Sequence, residues 1–247
     1  RSLYIGDPDF NKVYEKKLLN KEYLNERMET FDFDRATKSV DIKPGSLMIE
    51  EREETTHYSI IDKIGNAVAL TTTLNGSYGS KVFVEKWGYF LNNEMDDFSS
   101  KPGVPNMFGL IGGKANSIAS QKRMLSAMTP TIVEKNGKLS MIVGTPGGST
   151  IITSVLQTIL NVYEFGMNIQ EAVSVSRFHH QWLPDNILLE PGLFDENIIK
   201  KLQEKEYEIR EEYNKIIGRV DAIHISENGI ISTGADPRGD DKAVNLY

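Results

Sequence analysis

Two adjacent threonines, Thr55 and Thr56, stand between a charged run and a stretch typical of a β-strand. The run "EREE" occupies positions 51–54, and the strand-like stretch reads "TTHYSII". A threonine hydroxyl is a poor nucleophile at neutral pH and needs a base. If the chain is cut directly before a threonine, the new α-amine has a pKa of about 7.7–8.0 and can act as that base. The residue types offer Thr55 and Thr56 equally, and the alternative is an ordinary change from solvated loop to strand.

Two glycines lie between a predicted strand and a predicted helix in the segment "TPGGST", positions 145–150. Their backbone N–H groups, at Gly147 and Gly148, can point outward at the start of the helix. Such N–H groups and the helix dipole stabilise an oxyanion or a carboxylate. The alternative is a tight turn that requires glycine for its backbone conformation. No lysine follows the glycines, which excludes a phosphate-binding loop.

Acidic and amide side chains cluster in "NNEMDD", positions 92–97, directly after a predicted strand. Glu94 and Asp97 carry the charge needed to hold a substrate ammonium group. The alternative is a solvated transition from strand to loop. The residues from Asp96 to Gln121 are rich in Gly, Pro, Asn and Ser and have no periodicity, as in a functional lid or a linker.

Composition excludes several classes of chemistry. The chain has no cysteine, which rules out disulfides, thiol catalysis and thiolate metal sites. The net charge of −7 is modest and no block of Lys and Arg stands alone, so no nucleic-acid partner is expected. The histidines lack the spacing of metal ligands, and we expect no metal. We predict structural roles for all of them, which are His57, His179, His180 and His224.

The ends of the chain leave its extent open. At 247 residues it allows one large domain or two small ones. It opens with "RSLYIGDPDF", which has neither a Met nor a signal-peptide pattern, so we treat it as a possible fragment. No apolar run approaches the length of a membrane span.

Hydrophobic periodicity predicts strands first, helices next and strands again. Three hairpins are indicated by "THYSII-DKIGN-AVALTTTL", "TPTIVEKNGKLSMIVG" and "AIHIS-ENG-IISTG", and "KVFVEKWGYFL" predicts further strand. The predicted helices cover Lys16–Met28, Ser149 or Thr150 to Phe165, a short segment after Asn168, and Asp195–Lys205. This order predicts an α+β fold with a mainly antiparallel sheet.

Together these segments resemble the gamma-glutamyltransferases (gamma-glutamyl transpeptidases), which are N-terminal nucleophile hydrolases. The motifs occur in the family's order from about Arg1 to the C-terminus: "TTHYS", "TLN", "LNNEMDDFS", "KPGVPN", "TPGGSTII", "RFHHQWLP" and "DPR". No one of these motifs would suffice, but their number and order make the resemblance specific.

The resemblance implies a precursor that cuts itself before Thr55 into two subunits. Residues 1–54 would then be the C-terminal tail of the large subunit, and residues 55–247 the small, catalytic subunit. It also implies an αββα four-layer sandwich of the N-terminal nucleophile hydrolase type. That fold would be incomplete without the rest of the large subunit.

The resemblance also assigns roles to individual positions of this chain. Thr55 would be the nucleophile, with Thr73 bonded to its hydroxyl, and Gly147 and Gly148 would form the oxyanion hole. The α-amino end of a γ-glutamyl group would be held by Asn75, Glu94 and Asp97, and its α-carboxylate by Ser126. Phe108 would lie in a lid that runs from about Pro102 to Gly113.

The activity so implied is γ-glutamyl transfer and hydrolysis through a γ-glutamyl-threonine ester. The donors would be glutathione and other γ-glutamyl compounds, the acceptors amino acids, peptides or water, and no metal or organic cofactor would be needed. The family also implies a periplasmic or extracellular location. Two alternatives are a poly-γ-glutamate depolymerase or β-lactam acylase of the same family, and a non-catalytic fragment that is never processed.

Three departures from the family pattern bear on these expectations. The family usually shows "LSSM" where this chain has "LSAM", so Ala127 replaces a hydroxyl donor. Phe108 stands where related bacterial lids can carry Tyr, and its ring cannot hydrogen-bond to Asn75. Most of the large subunit is also missing, including an arginine expected to bind the substrate carboxylate, and we expect this chain alone to be inactive.

Overall fold

The computed structural model describes residues 5–11, 15–42, 55–99, 101, 104, 112–212 and 216–244. Helices in this part of the chain are α1 (Glu15–Leu18), α2 (Lys21–Arg27), α3 (Thr150–Tyr163), α4 (Ile169–Ser174) and α5 (Glu196–Glu204). The strands are β1 (Thr55–Ile61), β2 (Ala67–Thr73), β3 (Phe83–Val84), β4 (Tyr89–Phe90), β5 (Thr131–Lys135), β6 (Lys138–Gly144), β7 (Phe178–His179), β8 (Ile187–Leu189), β9 (Ile209–Glu211), β10 (Asp221–Ile225) and β11 (Ile231–Gly234). Short 3₁₀ turns span Ser39–Asp41, Glu94–Asp97 and Lys114–Asn116.

The centre of the fold is a four-stranded antiparallel sheet with the order β11-β10-β6-β5. The β1-β2 hairpin packs on one face of this sheet, and α3 and α4 pack on the other. The apolar core lies between the helices and the sheet, where β6 supplies a run of fully buried side chains. Its buried members are Met141, Val143, Ile151, Val155, Ile169, Val173, Val220 and Ala222.

The two faces of the β1-β2 hairpin are patterned in an unusual way. Side chains that point toward the four-stranded sheet are mostly small or polar, such as Thr55, His57 and Ser59. Apolar side chains lie on the opposite face, where they are between 42% and 52% exposed: Tyr58, Ile60, Val68 and Leu70. Since soluble sheets normally bury their apolar face, this surface has the composition of a buried layer.

Most of the predicted elements are confirmed, including the three hairpins, α3, α4 and α5. The single helix expected over Lys16–Met28 is wrong, because the helix is interrupted before Asn20. The Asn20 side chain caps α2 by accepting a hydrogen bond from Tyr23 N–H. The strand expected in "KVFVEKWGYFL" is also largely wrong, since only the short pair β3 and β4 forms. No helix among the described residues is long and apolar enough to cross a bilayer.

A small sheet of β7, β8 and β9 was not predicted. β7 pairs with β8 antiparallel, whereas β8 pairs with β9 parallel, and α5 packs on β9. Each of these strands has only two or three residues, which is too short for a period-two pattern to be recognised. The expectation of a mainly antiparallel structure holds, with this one parallel pair as the exception.

The residues before β1 contact the rest of the structure at separate points. Buried Asp7 accepts hydrogen bonds from the main-chain N–H and the guanidinium of Arg123. Ser39 donates through its N–H and its hydroxyl to Asp185, and its carbonyl accepts from the indole of Trp182. The described ranges 5–11 and 15–42 are therefore each tied to segments that lie far along the chain.

A buried guanidinium connects the helix layer to the last strands. Arg177 is 1% exposed and forms an ion pair with Asp236, whose carboxylate also accepts from Val220 N–H. The guanidinium also donates to the carbonyl oxygens of Val173, Ile217 and Gly218. Arg238 reinforces the network by pairing with Asp236 and, through two bonds of 2.6 Å, with Glu190.

Replacing Arg177 with Met should lower the free energy of unfolding by about 3–5 kcal/mol, because it removes one partner of a buried ion pair. The matched control is Arg35→Met, which breaks the exposed ion pair with Glu206 and should cost no more than about 1 kcal/mol. Denaturant unfolding followed by circular dichroism measures both. Similar losses in the two variants would contradict the role given to the buried network.

Candidate functional site

The β1-β2 register places Thr55 directly opposite Thr73. The Thr55 hydroxyl donates to Thr73 Oγ1 at 3.3 Å, and Asn75 N–H donates to the same oxygen at 2.9 Å. Thr56 lies on the other face of the strand, where it is exposed. The two threonines that the residue types leave equivalent are therefore different in the fold, because only Thr55 lies on the polar, inward face.

The turn after β2 joins this pair to the acidic segment. Asn75 is buried with a φ of 75°, and its side-chain amide donates to the carbonyl of Asn93 at 3.2 Å. The Asn93 side-chain oxygen in turn accepts from Gly76 N–H at 2.9 Å, and the main-chain N–H of Asn93 donates to Leu74 O at 3.1 Å. These bonds hold the 3₁₀ turn Glu94–Asp97 next to the end of β2.

Two carboxylates of that turn, Glu94 and Asp97, were expected to hold an ammonium group. Partial burial raises the pKa of Glu94 above its ordinary value, because desolvation penalises the charged carboxylate. A cation placed beside it would favour the charged form again. Glu94 would therefore be stabilised in its charged form by a positively charged ligand group beside it.

Ser126 belongs to a separate segment that reaches the acidic turn through Asn116. The Asn116 amide donates to Asp97 O at 2.7 Å, and its side-chain oxygen accepts from Leu125 N–H at 3.0 Å. The Ser126 hydroxyl oxygen accepts from Met128 N–H at 3.0 Å. The Asn116 side chain thus links the turn that carries Asp97, expected to bind a ligand amino group, to the segment that carries Ser126, expected to bind a carboxylate.

The glycine loop lies between β6 and α3. Gly147 and Gly148 have φ values of 132° and 43°, and their carbonyls accept the first bonds of the helix from Thr150 N–H and Ile151 N–H. Within the described part of the chain, no hydrogen bond from either glycine N–H is found. A Cβ at Gly147 would press on Gly218 and on the Thr150 hydroxyl, which explains the need for glycine there.

His57 connects the glycine loop to β1. A Cβ at Gly144 would collide with its imidazole, so β6 and β1 can approach closely only with glycine at this position. Burial lowers the pKa of His57 to about 4, which makes the imidazole neutral at physiological pH. Ser59 donates to Asp221 O, so its oxygen accepts from Nε2–H of His57, and Nδ1 accepts from the Thr71 hydroxyl at 2.8 Å.

A second polar chain supports the start of α3. The Ser149 hydroxyl donates to the side-chain oxygen of Gln181 at 2.6 Å, and His179 Nε2 lies 3.0 Å from that oxygen. His179 Nδ1 lies 2.7 Å from the Thr153 hydroxyl. In the described structure, two residues of the motif "RFHHQWLP" therefore form hydrogen bonds with the start of α3, the helix that follows the glycine loop.

Residues that sequence reasoning missed are mainly those that hold the site in place. His57 could have been found, because it is two residues from Thr55 and thus on the same strand face. Asn116 carries no spacing signal. Arg177 opens the motif "RFHHQWLP", but nothing in that motif indicates its buried ion pair with Asp236. Phe108 and most of the expected lid lie outside the described residues. No group of three or more His, Cys, Asp or Glu side chains in the described ranges could hold a metal ion.

The described structure has a helix layer and two stacked β layers, and β1 begins at Thr55 and has a polar inner face. These features define an N-terminal nucleophile hydrolase fold. The expected α+β class is confirmed, and the described residues supply three of the four expected layers.

Comparison with known proteins identifies the family. The Gamma-glutamyltranspeptidase sequence profile matches residues 1–246, and the chain belongs to that family. The Glutathione hydrolase proenzyme of Escherichia coli (strain K12) is 46% identical over 247 residues, which are 100% of this chain but 42% of that protein. The chain thus spans less than half the length of this relative.

Solved structures agree with this assignment. A mutant gamma-glutamyltranspeptidase of Helicobacter pylori is 49% identical, with a TM-score of 0.71 over 74% of this chain and 100% of that one. A highly active mutant of the enzyme from Pseudomonas nitroreducens is 43% identical, with a TM-score of 0.72 over 78% of this chain and 99% of that one.

His57 should make stability depend on pH between about 6.5 and 4. Its pKa falls from 6.5 to about 4 on folding, so the unfolded state binds the extra proton in this window and stability drops as the pH falls. At about 1.36 kcal/mol per unit, the loss from pH 7 to pH 4 is at most about 3 kcal/mol. Asp221, whose pKa burial raises to about 7, acts in the opposite direction in the same window, so only a variant isolates His57.

We therefore expect the free-energy gap between wild type and His57→Gln to shrink as the pH is lowered from 7 to 4. Thr72→Ala, on the outward face of β2, keeps the histidine and its hydrogen bonds and should keep the wild-type slope. Denaturant unfolding at several pH values gives all three curves. Parallel curves for wild type and His57→Gln would show that His57 is not the titrating group.

Proposed function

We propose that this chain is the C-terminal part of a gamma-glutamyltransferase precursor that cuts itself between Glu54 and Thr55. Residues 1–54 end the large subunit, and residues 55–247 form the small, catalytic subunit. Family membership supports the proposal, as does the 42% share of a proenzyme that the chain covers. By family resemblance, the mature enzyme works in the periplasm or outside the cell.

In the proposed reaction, the Thr55 hydroxyl attacks the γ-carbonyl carbon of glutathione or another γ-glutamyl compound. The Thr55 α-amine accepts the hydroxyl proton as the C–O bond forms, and the leaving amine takes that proton as the C–N bond breaks. The N–H groups of Gly147 and Gly148 stabilise the oxyanion. Water, or the amine of an amino acid or peptide, then attacks the γ-glutamyl ester and releases Thr55.

The observation that carries this proposal is the contact between Thr55 and Thr73 on the inward face of the hairpin, at a strand end. Thr73 receives a second hydrogen bond from Asn75 N–H, which fixes the oxygen that faces the Thr55 hydroxyl. A nucleophile must be held in one orientation to reach its substrate carbonyl, and the β-branched side chain of Thr55 also restricts χ1.

The residues around this pair suit the head group of a γ-glutamyl substrate. Asn75, Glu94 and Asp97 bind its α-amino group, and Ser126 binds its α-carboxylate. These groups are suited to bind a free α-amino group and a free α-carboxylate. They therefore favour γ-glutamyl compounds as substrates over the acyl groups that a depolymerase or a β-lactam acylase would bind. Ala127 offers no hydroxyl, so of these two positions only Ser126 can donate to the carboxylate.

The partner of the small subunit is the remainder of the large subunit of the same precursor. The exposed apolar face of the β1-β2 hairpin supports this, because a four-layer sandwich covers that face with a further layer. The face carries no charged side chain at the paired positions Tyr58–Leu70 and Ile60–Val68. It therefore fits an apolar surface that is buried permanently rather than a transient contact.

Thr55→Ala in the full-length precursor should abolish both self-cleavage and hydrolysis of a γ-glutamyl anilide, because it removes the attacking hydroxyl. Thr56→Ala is the matched control, since Thr56 lies on the outward face, and should still be cleaved after Glu54. Intact mass, N-terminal sequencing and anilide release measure these outcomes. A Thr55→Ala protein that matures and turns over would refute the proposed function.

Leu70→Asp in the precursor should strongly reduce assembly of the two subunits, because an unpaired charge in an apolar interface costs several kcal/mol. Ile230→Asp, at an exposed apolar residue of the β10-β11 turn, is the control and should assemble normally. Size-exclusion chromatography of the matured protein measures the assembled fraction. Normal assembly of Leu70→Asp would show that another surface receives the large subunit.

A further inference from the structure

Asn116 is a buried polar residue that the proposed chemistry does not use directly. It is 4% exposed and lies at the end of the 3₁₀ turn Lys114–Asn116. Its amide nitrogen donates to Asp97 O at 2.7 Å, its side-chain oxygen accepts from Leu125 N–H at 3.0 Å, and its main-chain carbonyl accepts from Ser99 N–H at 2.8 Å. One residue thus contacts both segments that were assigned to the substrate head group.

We propose that Asn116 is a positioning residue that sets the separation between Asp97 and Ser126, and thereby the enzyme's selectivity for a substrate carrying both an α-amino group and an α-carboxylate. The inference rests on the proposed function. The two substrate groups are bonded to the same carbon, so their separation is fixed. The site must therefore hold its two binding segments at a matching separation.

The chemistry of the side chain explains why asparagine serves here. A primary amide supplies a donor for the Asp97 carbonyl and an acceptor for the Leu125 N–H from the same planar group. Aspartate would keep the acceptor but lose the donor, and alanine would lose both. The two bonds join segments that are 19 and 9 residues away from Asn116 in sequence.

The main chain on both sides of Asn116 is itself anchored. Ala115 O accepts from the side chains of Asn11 and Lys122, at 2.6 and 2.7 Å. Arg123 donates to buried Asp7 through its N–H and its guanidinium. The Arg123 side chain holds the pKa of Asp7 well below its usual range, so the anchor is ionised at neutral pH. The segment that carries Asn116 is therefore tied to the residues before β1 independently of the two bonds of its side chain.

The test compares three 4-nitroanilides in the matured full-length enzyme. The γ-glutamyl substrate carries both head groups, the glutaryl substrate lacks the amine, and the 4-aminobutanoyl substrate lacks the carboxylate. Asn116→Ala should lower kcat/KM for the γ-glutamyl substrate about tenfold or more relative to both truncated ones, since a lost buried hydrogen bond has effects of that order. The loss should appear mainly in KM. Rates are expressed per active site, titrated by the anilide burst.

Asn116→Asp separates the two contacts. It should lose the preference over the glutaryl substrate, because nothing donates to Asp97 O, and retain the preference over the 4-aminobutanoyl substrate, because Leu125 N–H still has an acceptor. Asn161→Ala is the control, since that amide donates to the carbonyl of Ala172 on α4 and should leave every ratio unchanged.

Three results would overturn the inference. Equal losses per active site on all three substrates would mean that Asn116 affects the reaction in general and not the recognition of the head group. Unchanged ratios in Asn116→Ala would mean that it does not set the separation. Failure of both Asn116 variants to mature, with normal maturation of Asn161→Ala, would assign Asn116 a structural role only. A wild-type enzyme without γ-glutamyl turnover would refute the proposed function instead.

Discussion

The constraint on which the rest of the structure depends is the burial of the Arg177 guanidinium. A charge removed from water is stable only if nearly all of its donors are satisfied. Arg177 achieves this by holding Asp236 and the carbonyls of Ile217 and Gly218 in one place. Gly218 in turn lies against Gly147, so the loop proposed to bind the oxyanion is supported by the same charge. The hydrogen bonds that compensate the buried cation thus also hold the glycine loop in place, as a preorganised oxyanion site requires.

The inner face of the β1-β2 hairpin shows why local sequence could predict part of the site. Strand alternation places Thr55, His57 and Ser59 on one face, and the register sets Thr73 opposite Thr55. The role of Thr73 beside Thr55 was expected from the family resemblance. The two glycines before a helix predicted the loop that begins α3. These features depend on contacts between residues that are close in sequence or joined by a short turn.

Other parts of the structure could not be predicted, most of them because they depend on contacts between distant segments. Asn116 stands in a Gly- and Ser-rich stretch without periodicity, and its importance comes from reaching Asp97 and Leu125 at once. The helix expected over Lys16–Met28 fails for a local reason, because Asn20 caps a new helix more favourably than it continues the old one. The strands of the β7-β8-β9 sheet are too short to show an alternating hydrophobic pattern, and they form through pairing between distant segments.

The tail before β1 gives the proposed cleavage a structural consequence. Asp7 is hydrogen-bonded to Arg123, and Ser39 to Asp185 and Trp182, so the described ranges 5–11 and 15–42 are attached through contacts that do not involve the Glu54–Thr55 bond. Cutting that bond would free the amine of Thr55 without loosening the segment that carries Asn116 and Ser126. In the proposed precursor, the segments expected to bind the head group would therefore be in place before the cut, and the cut would supply the missing base. Maturation would then change the chemistry at one residue while the surrounding geometry is kept.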